Sequence, residues 1–471
     1  MTDISAGGPT SEIMTCPSCA QGGVLAATAH RLELVARRAQ RKGRVPGLVA
    51  AVGRGGQMLW SRGVGVVDID NPDIPLDCDT PFIIASNTKT FVAVVVMALR
   101  DEGRLKLDDR IEEHLPGTAH GALTIRSMLT HLSGMQREDA TGVWDDMHFP
   151  DEATFMAGLG KAEQIHTPYT HWHYSNLCYA VLGELIARLD GGNWFHSVQR
   201  RILDPLEMRS TYLGPPPAGA PRALAGTYFV PPCSDVPLPE PVIGSGAYDA
   251  VGGMVSTARD MTRWGGFIAD PVAQVLSPDT MEEMCTPTAF ADPRRFRAAH
   301  GLGFMVLRQN DELWVGHTGG MPGSITGVFT HRSSATTGSV FMNASNAPSP
   351  GAIAVELGAT LREHEPELPA VWEPGRSVPE EFATVIGRWF SEGQEHIFSV
   401  RHGELQARLE ADDPDAPPST FTRVGDDVYR TVSGRERGEL LQLHRDSAGV
   451  VQRMHWATYP FTREPLPFTS G

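Results

Sequence analysis

The stretch IIASNTKTF (residues 83–91) places a lysine where lysine is unusual. Lys89 stands three residues after Ser86 and just before FVAVVVMAL (91–99), a run that is apolar on every side. Such a run predicts a buried helix, and lysine is rarely buried unless a function requires it. Only four of the 40 basic residues are lysines, namely Lys42, Lys89, Lys106 and Lys161. Arginine is the usual basic residue of this chain, so a lysine at position 89 indicates that the position requires lysine in particular.

The Ser86–Lys89 pair has the spacing of a nucleophile and its base. Residues at i and i+3 lie on one face of a helix. A serine hydroxyl is a weak nucleophile until a base removes its proton, and a lysine in low-dielectric surroundings loses part of its preference for the charged form. The N–H groups at a helix start also suit an oxyanion. Taken alone, the pattern fits equally well an N-capping serine with a lysine that reaches the surface.

Composition limits the partners of the chain. Its 471 residues exceed what one core usually organises, which predicts at least two domains. The net charge of -16 argues against nucleic acid and anionic membranes. No apolar run reaches the ~20 residues of a bilayer-spanning helix, and the N-terminus lacks the pattern of a secretory signal. The six cysteines are scattered, as expected of free thiols in a reducing compartment. We therefore predict a cytoplasmic protein.

The pattern of elements predicts an α+β domain followed by an all-β module. Residues 136–212 read as mostly helical, whereas 301–346 contain short β-type runs typical of an antiparallel sheet. The proline-rich segment 214–242 is long for a loop and is interpreted as a wall or lid over a site. The predicted organisation is a disordered tail (1–22), an α+β domain (23–364), a linker rich in proline and glutamate (365–380) and a C-terminal β-barrel-like domain (381–471).

Three short motifs occur in a fixed order. They are Ser86-Asn-Thr-Lys89, Tyr174-Ser-Asn176 and His317-Thr-Gly319, with separations of 88 and 143 residues between their first positions. Each motif alone is weak, but the ordered set, with LTIRSMLTHLSGM, HYSN and GGMVSTARDM, is specific. Residues 26–362 thus resemble the serine β-lactamase and penicillin-binding-protein family, which includes class C β-lactamases, D,D-peptidases, D-aminopeptidases and family VIII esterases.

The resemblance implies a fold. The expected catalytic domain has an antiparallel sheet flanked by helices and an all-α lobe, in the β-lactamase/transpeptidase-like arrangement. The C-terminal module resembles the lipocalin-like barrel that follows the catalytic domain in some relatives.

The resemblance also implies roles for the first two motifs. Ser86 would be the acylated nucleophile, and Lys89 would help to deprotonate it. Tyr174 would act as a general base and acid if nearby Lys89 lowers the pKa of its phenol. Asn176 would orient Lys89 and hydrogen-bond the substrate amide.

The third motif would supply the other wall of the site. His317 stands where β-lactamases of the family usually have lysine, and is expected to titrate around neutral pH. Thr318 and Gly319 would lie on the strand along which a substrate backbone pairs. The oxyanion hole would consist of the N–H groups of Ser86 and Gly320.

The histidine at the first position of the third motif is a feature in which this sequence resembles the D,D-carboxypeptidase and D-aminopeptidase branches of the family and some of its esterases. The expected function is a serine hydrolase that forms an acyl-enzyme on a small ester, amide or short peptide, either a carboxylesterase or a D-amino-acid-specific peptidase or amidase. The alternatives are an amide-forming or macrocyclising acyltransferase, a weak β-lactamase and a non-catalytic scaffold. No cofactor is expected, and the sequence allows a homo-oligomer without requiring one.

Two side-chain groups near Tyr174 allow a second interpretation. His166, His171 and His173 contain a His-x-His pattern, but no acidic residue stands at ligand spacing, so they are interpreted as polar site lining and no metal is predicted. Trp144 and Trp172 are interpreted as buried aromatics, with substrate contact as the alternative.

Overall fold

The computed structural model describes residues 23–138, 142–244, 246–369, 371–375, 377–413 and 416–466. The chain forms two compact units, Met1–Glu367 and Leu368–Gly471. The tail predicted for residues 1–22 lies outside the described residues. The linker boundaries predicted around residues 365 and 380 remain a prediction.

Helices of the first unit occupy positions before, between and after its strands. Their bounds are Ala26–Gly43 (α1), Thr88–Asp101 (α2), Ile111–His114 (α3), Ile125–Leu129 (α4), Val143–Asp146 (α5), Glu152–Gly158 (α6), Asn176–Asp190 (α7), Trp194–Val198 (α8), Asp249–Gly252 (α9), Ala258–Ala269 (α10), Pro278–Cys285 (α11) and Pro350–His364 (α12).

Strands of the first unit form one large sheet and two small ones. Their bounds are Gly47–Arg54 (β1), Gln57–Gly65 (β2), Phe82–Ile83 (β3), Tyr212–Leu213 (β4), Tyr228–Phe229 (β5), Leu238–Pro239 (β6), Met254–Ser256 (β7), Ala289–Phe290 (β8), Ala298–His300 (β9), Met305–Gln309 (β10), Glu312–Met321 (β11), Ser324–His331 (β12) and Thr336–Met342 (β13). The large sheet is antiparallel, in the order β2-β1-β13-β12-β11-β10-β9-β8.

The centre of the large sheet is covered on both faces. All seven residues of β13 are buried. A Cβ on Gly338 would meet α12, whereas a Cβ on Gly265 of α10 would meet the Thr337 side chain. Because neighbouring strand residues point to opposite faces, α12 and α10 lie on opposite sides of β13. Strands β1 and β2 form a hairpin, in which Arg54 pairs with Gln57.

Helix α2 is the centre of the largest hydrophobic core. Every residue from Thr88 to Leu99 is buried, which confirms the prediction from its apolar surface. The helix packs against α7, α8 and α9. This all-helical lobe, together with the antiparallel sheet, confirms the predicted α+β class.

The second unit is an eight-stranded barrel. Its strands are Gly387–Ser391 (β14), Gln394–Arg401 (β15), Glu404–Leu409 (β16), Ser419–Gly425 (β17), Val428–Thr431 (β18), Leu440–Arg445 (β19), Val451–Trp456 (β20) and Tyr459–Phe461 (β21). Each strand pairs with the next. The barrel closes between β14 and the residue after β21, where Phe390 and Thr462 share two backbone hydrogen bonds. The barrel has its own core. The predicted all-β, lipocalin-like module is therefore confirmed.

Two observations bear on the predicted compartment. Among the described cysteines, Cys178, Cys233 and Cys285 are free thiols, whereas Cys78 is disulfide-bonded. The expectation of free thiols throughout is wrong for Cys78. In the part of the chain that the structure describes, no helix combines the length and hydropathy that crossing a bilayer requires. The cytoplasmic location stays a prediction.

The contact between α12 and the sheet should tolerate no added methyl group. A Cβ on Gly358 would lie 2.5 Å from the ring of Trp314, which is fully buried. We expect Gly358→Ala to lower the free energy of unfolding by about 1–3 kcal/mol through overpacking. Gly158→Ala is the matched control, because a Cβ at this helical glycine meets nothing within 4 Å. Thermal unfolding of both variants tests the contact, and equal effects would contradict it.

Candidate active site

Ser86 lies in a tight turn between β3 and α2. The turn Ala85–Asn87 is a 3-10 helix, and Ala85 has a φ of 47°, a left-handed conformation that alanine rarely adopts. The Asn87 side chain holds this turn, since its amide donates to the Ile84 carbonyl at 3.1 Å and to the Thr326 hydroxyl at 3.0 Å. The strained turn is thus fixed against the large sheet.

Lys89 is fully buried beside Ser86. Its Nζ atom lies 3.1 Å from Ser86 Oγ and donates to the Val251 carbonyl at 2.9 Å. Burial lowers the pKa of Lys89 well below its ordinary value. The arrangement supplies an amine that is ready to lose its proton within hydrogen-bond distance of a serine hydroxyl.

Tyr174 also lies beside Ser86, but the pKa of its phenol is shifted in the direction opposite to the expected one. Its phenol is hydrogen-bonded to Ser86, and Lys89 Nζ lies 5.1 Å from the centre of its ring. Burial raises the pKa of the phenol above its ordinary value. The prediction of a lowered phenol pKa is therefore wrong. The opposite charge that it required is weakened, because burial also disfavours the charged form of Lys89.

Asn176 begins α7 and contacts a residue that the motifs did not indicate. Its amide donates to the Glu138 carboxylate. Burial raises the pKa of Glu138, and the Asn176 hydrogen bond opposes this effect. The Val251 carbonyl, rather than Asn176, holds the Lys89 amine. The predicted orientation of Lys89 by Asn176 is thus corrected.

His317 belongs to a buried set of imidazoles. Its ring centre lies 6.2 Å from that of Tyr174, and His131 stacks on Tyr174 at 4.2 Å. Burial, with a smaller contribution from Lys89, lowers the pKa of His317 to about 3. Burial also lowers the pKa of His131 and of His300. His317 is therefore neutral at neutral pH, and the predicted titration in that range is wrong.

Residues 317–321 form an open strand edge beside the serine. Pairing between β10 and β11 ends at Gly316, whereas pairing between β11 and β12 continues to Met321. The Thr318 hydroxyl points away toward Met305, so Thr318 can offer only its backbone to a ligand. A Cβ on Gly319 would lie 2.1 Å from the Ile84 carbonyl, which explains why glycine is needed there.

A small cavity opens on Ser86. Its volume is about 30 Å³, comparable with the share of one water molecule. None of its described lining residues belongs to 214–242, which does not support a lid role for that segment. The lining consists of Ser86, Trp144, Phe149, Asn176, Tyr248, Val251, Gly252, Gly320 and Met321.

Aromatic side chains narrow this cavity. Trp144 packs edge-on against Phe149 at 5.2 Å, and Phe149 against Tyr248 at 5.4 Å. Trp144 is 37% exposed, so its interpretation as a buried aromatic is wrong and the alternative, a site-facing side chain, fits its position. Trp172 instead packs against His300 at 5.1 Å.

The sequence motifs found most of this group but not all of it. Ser86, Lys89, Tyr174, Asn176 and His317 lie together, and Gly320 lines the same cavity as Ser86. Among the described residues His166, His171 and His173 pack against one another, and none of them lines the cavity. Glu138 and the Val251 carbonyl were missed, because a backbone carbonyl leaves no sequence signal and Glu138 has no motif spacing.

Family comparison assigns the first unit. A family model described as Beta-lactamase matches residues 32–360, so the chain belongs to the β-lactamase family. A second model, described as a domain of unknown function (DUF7586), matches residues 378–463.

Individual relatives agree with this assignment. Esterase EstB of Burkholderia gladioli is 33% identical over 202 residues, which cover 39% of this chain and 51% of the esterase. The chain spans about half the length of the curated relatives it matches. A D-stereospecific amidohydrolase from Streptomyces sp. (24% identity, TM-score 0.60, 70% of this chain, 98% of that one) and an octameric penicillin-binding protein homologue from Pyrococcus abyssi (20%, 0.62, 92%, 99%) share the fold.

The buried imidazole of His317 should make stability depend on pH. Its folded pKa of about 3 lies below the ordinary value of 6.5. Its stabilising contribution is therefore complete above pH 6.5 and is lost as the pH falls toward 3, because only the unfolded state binds the proton in that window. We expect His317→Gln to reduce this slope by up to about 1.4 kcal/mol per pH unit.

Denaturant unfolding at several pH values measures this slope. His30→Gln, a change at an exposed histidine on α1, is the control and should leave the slope unchanged. A slope that is the same in His317→Gln and in the parent protein would contradict the low pKa of His317.

Proposed function

We propose that this protein is a serine hydrolase that forms an acyl-enzyme at Ser86 on small esters or amides. The observation that carries the proposal is the fully buried Lys89 amine 3.1 Å from Ser86 Oγ. A buried amine with a lowered pKa is a base, and a serine hydroxyl needs one to become a nucleophile.

Acylation would begin with proton transfer from Ser86 Oγ to the neutral Lys89 amine. Ser86 Oγ then attacks the substrate carbonyl carbon, and the N–H groups of Ser86 and Gly320 stabilise the oxyanion. Tyr174 is protonated and bonded to Ser86, so its phenol gives a proton to the leaving group and regains one from Lys89. Water attacks the acyl-enzyme by the reverse proton path.

Substrate binding would use Asn176 and the open edge of β11. Asn176 lines the cavity beside Ser86, and its Oδ1 atom has no hydrogen-bond partner among the described residues. This oxygen can therefore accept a hydrogen bond from the N–H group of a substrate amide. Glu138 fixes the other end of the Asn176 amide. The edge at residues 317–321 can pair with an extended substrate backbone.

The aromatic cavity limits the acyl group and supports a second candidate function. Its volume of about 30 Å³ between Trp144, Phe149 and Tyr248 favours a small acyl group. Trp144 at the cavity edge is partly exposed, and its movement would admit an amine acceptor, so acyl transfer is the second candidate function. An ester-cleaving relative and a D-stereospecific amidohydrolase of the same fold suggest carboxylesterase and D-amidase activities for the hydrolytic reaction.

Turnover of three chromogenic substrates tests the proposal. They are p-nitrophenyl butyrate, D-alanyl-p-nitroanilide and a chromogenic cephalosporin, each with Ser86→Ala as the blank. We expect turnover of the ester or the anilide and little of the cephalosporin. Intact-mass detection of acylated Ser86 without turnover, followed by product formation on addition of an amine, would favour the transferase. Absence of both turnover and acylation would contradict the catalytic proposal.

The role of Lys89 can be tested separately. Lys89→Arg replaces the amine by a guanidinium that cannot deprotonate, so kcat/KM should fall by about 10²–10⁴-fold, the usual contribution of a general base. Lys89→Met, which removes the amine, should be equally inactive. Lys106→Arg is the matched control at an exposed lysine. Circular dichroism checks folding, and a folded Lys89→Arg protein with near-parental activity would remove Lys89 from the mechanism.

A further inference from the structure

The C-terminal barrel contains a cavity separate from the residues around Ser86. Its volume is about 250 Å³. Closed eight-stranded barrels have interiors just wide enough for side chains or for one small ligand. The described residues that line the cavity are Ser391, Glu392, Gln394, His396, Ala407, Arg408, Leu409, Asp412, Ala416, Pro417, Ser419, Arg435, Glu436, Trp456, Tyr459 and Phe461.

The buried part of the lining is aromatic and uncharged. Trp456 and Phe461 are 5% and 4% exposed, and the His396 ring meets Phe461 edge-on at 4.9 Å. The small side chain of Ala407 leaves room beside them. Trp456 already donates its N–H to Thr431, so the indole offers the cavity an apolar surface.

Two buried polar atoms of the lining, Ser391 Oγ and His396 Nδ1, have no hydrogen-bond partner among the described residues. Ser391 is 6% exposed. A buried hydroxyl without a partner costs free energy. A ligand with a hydrogen-bonding group would satisfy it.

The exposed part of the lining carries both signs of charge. Glu392, Asp412 and Glu436 are acidic, whereas Arg408 and Arg435 are basic, and Arg435 forms an ion pair with Glu436 at 3.3 Å. The mixture gives no preference for an anion or a cation, and the buried part holds no charge to pair with one. An uncharged ligand therefore fits best.

We propose that the C-terminal barrel binds a small uncharged aromatic molecule that carries one hydroxyl group. The ring lies against Trp456 and Phe461, and the hydroxyl bonds to Ser391. A cavity of about 150 Å³ holds benzene, so 250 Å³ admits a single ring with a substituent. This binding site is independent of the proposed reaction at Ser86.

Binding of 4-fluorophenol to the full chain, followed by ¹⁹F NMR, tests the proposal. We expect Ala407→Leu, whose larger side chain fills the cavity, to weaken binding by at least about tenfold through steric exclusion. Ser391→Ala should weaken it by about two- to tenfold, the range for one hydrogen bond, and should leave the affinity for fluorobenzene unchanged. Ser399→Ala is the matched control, because Ser399 lies on β15 outside the cavity lining.

The outcomes separate the barrel from the active site. Hydrolysis of p-nitrophenyl butyrate should be unchanged in Ala407→Leu, which also reports on folding of the chain. Binding that persists in both barrel variants but disappears after acylation of Ser86 would place the phenol in the active site and overturn the proposal. Absence of 4-fluorophenol binding to the parent protein, or equal binding of 4-fluorophenol and 4-fluorophenylacetate, would overturn it as well.

Discussion

The burial of the Lys89 amine against Ser86 is the constraint on which the catalytic unit depends. An ammonium in an apolar interior is costly, and here burial shifts the amine toward its neutral form while the Val251 carbonyl accepts one of its protons. The apolar surface of α2 on every side creates these surroundings. Burial of Lys89 thus lowers the free energy of unfolding at the position where the proposed mechanism needs a base, and such local costs are common at functional sites.

The same low dielectric sets the state of the neighbouring groups. His317, close to Lys89, is kept neutral chiefly by burial, and Tyr174 is kept protonated. These shifts have one physical cause, because each charged form would have to lose its hydration. These states agree with the roles that we propose, in which the amine of Lys89 accepts a proton from Ser86 and the phenol of Tyr174 delivers a proton to a leaving group.

Sequence reasoning predicted the fold class and the grouping of the three motifs because both depend on local patterns. Apolar residues around α2 and the spacing of Ser86 and Lys89 are visible in the printed chain. The pKa values of Tyr174 and His317 were predicted wrongly, since they depend on burial by distant segments rather than on the charge of one neighbour. Glu138 and the Val251 carbonyl could not be predicted, because tertiary contacts alone bring them to Asn176 and Lys89.

In the mechanism that we propose, the choice between hydrolysis and acyl transfer would depend on access of water to the acyl-enzyme. Trp144, Phe149 and Tyr248 leave about 30 Å³ beside Ser86, enough for one water molecule but not for a hydrated pocket. In the proposed mechanism a single water would suffice for hydrolysis, whereas an amine acceptor would first have to displace the aromatic wall. Trp144 is partly exposed and follows the cavity edge, so its movement would widen the site toward larger acceptors. In the proposed mechanism, the aromatic wall rather than the Ser86–Lys89 pair would therefore decide which acceptor reaches the acyl-enzyme.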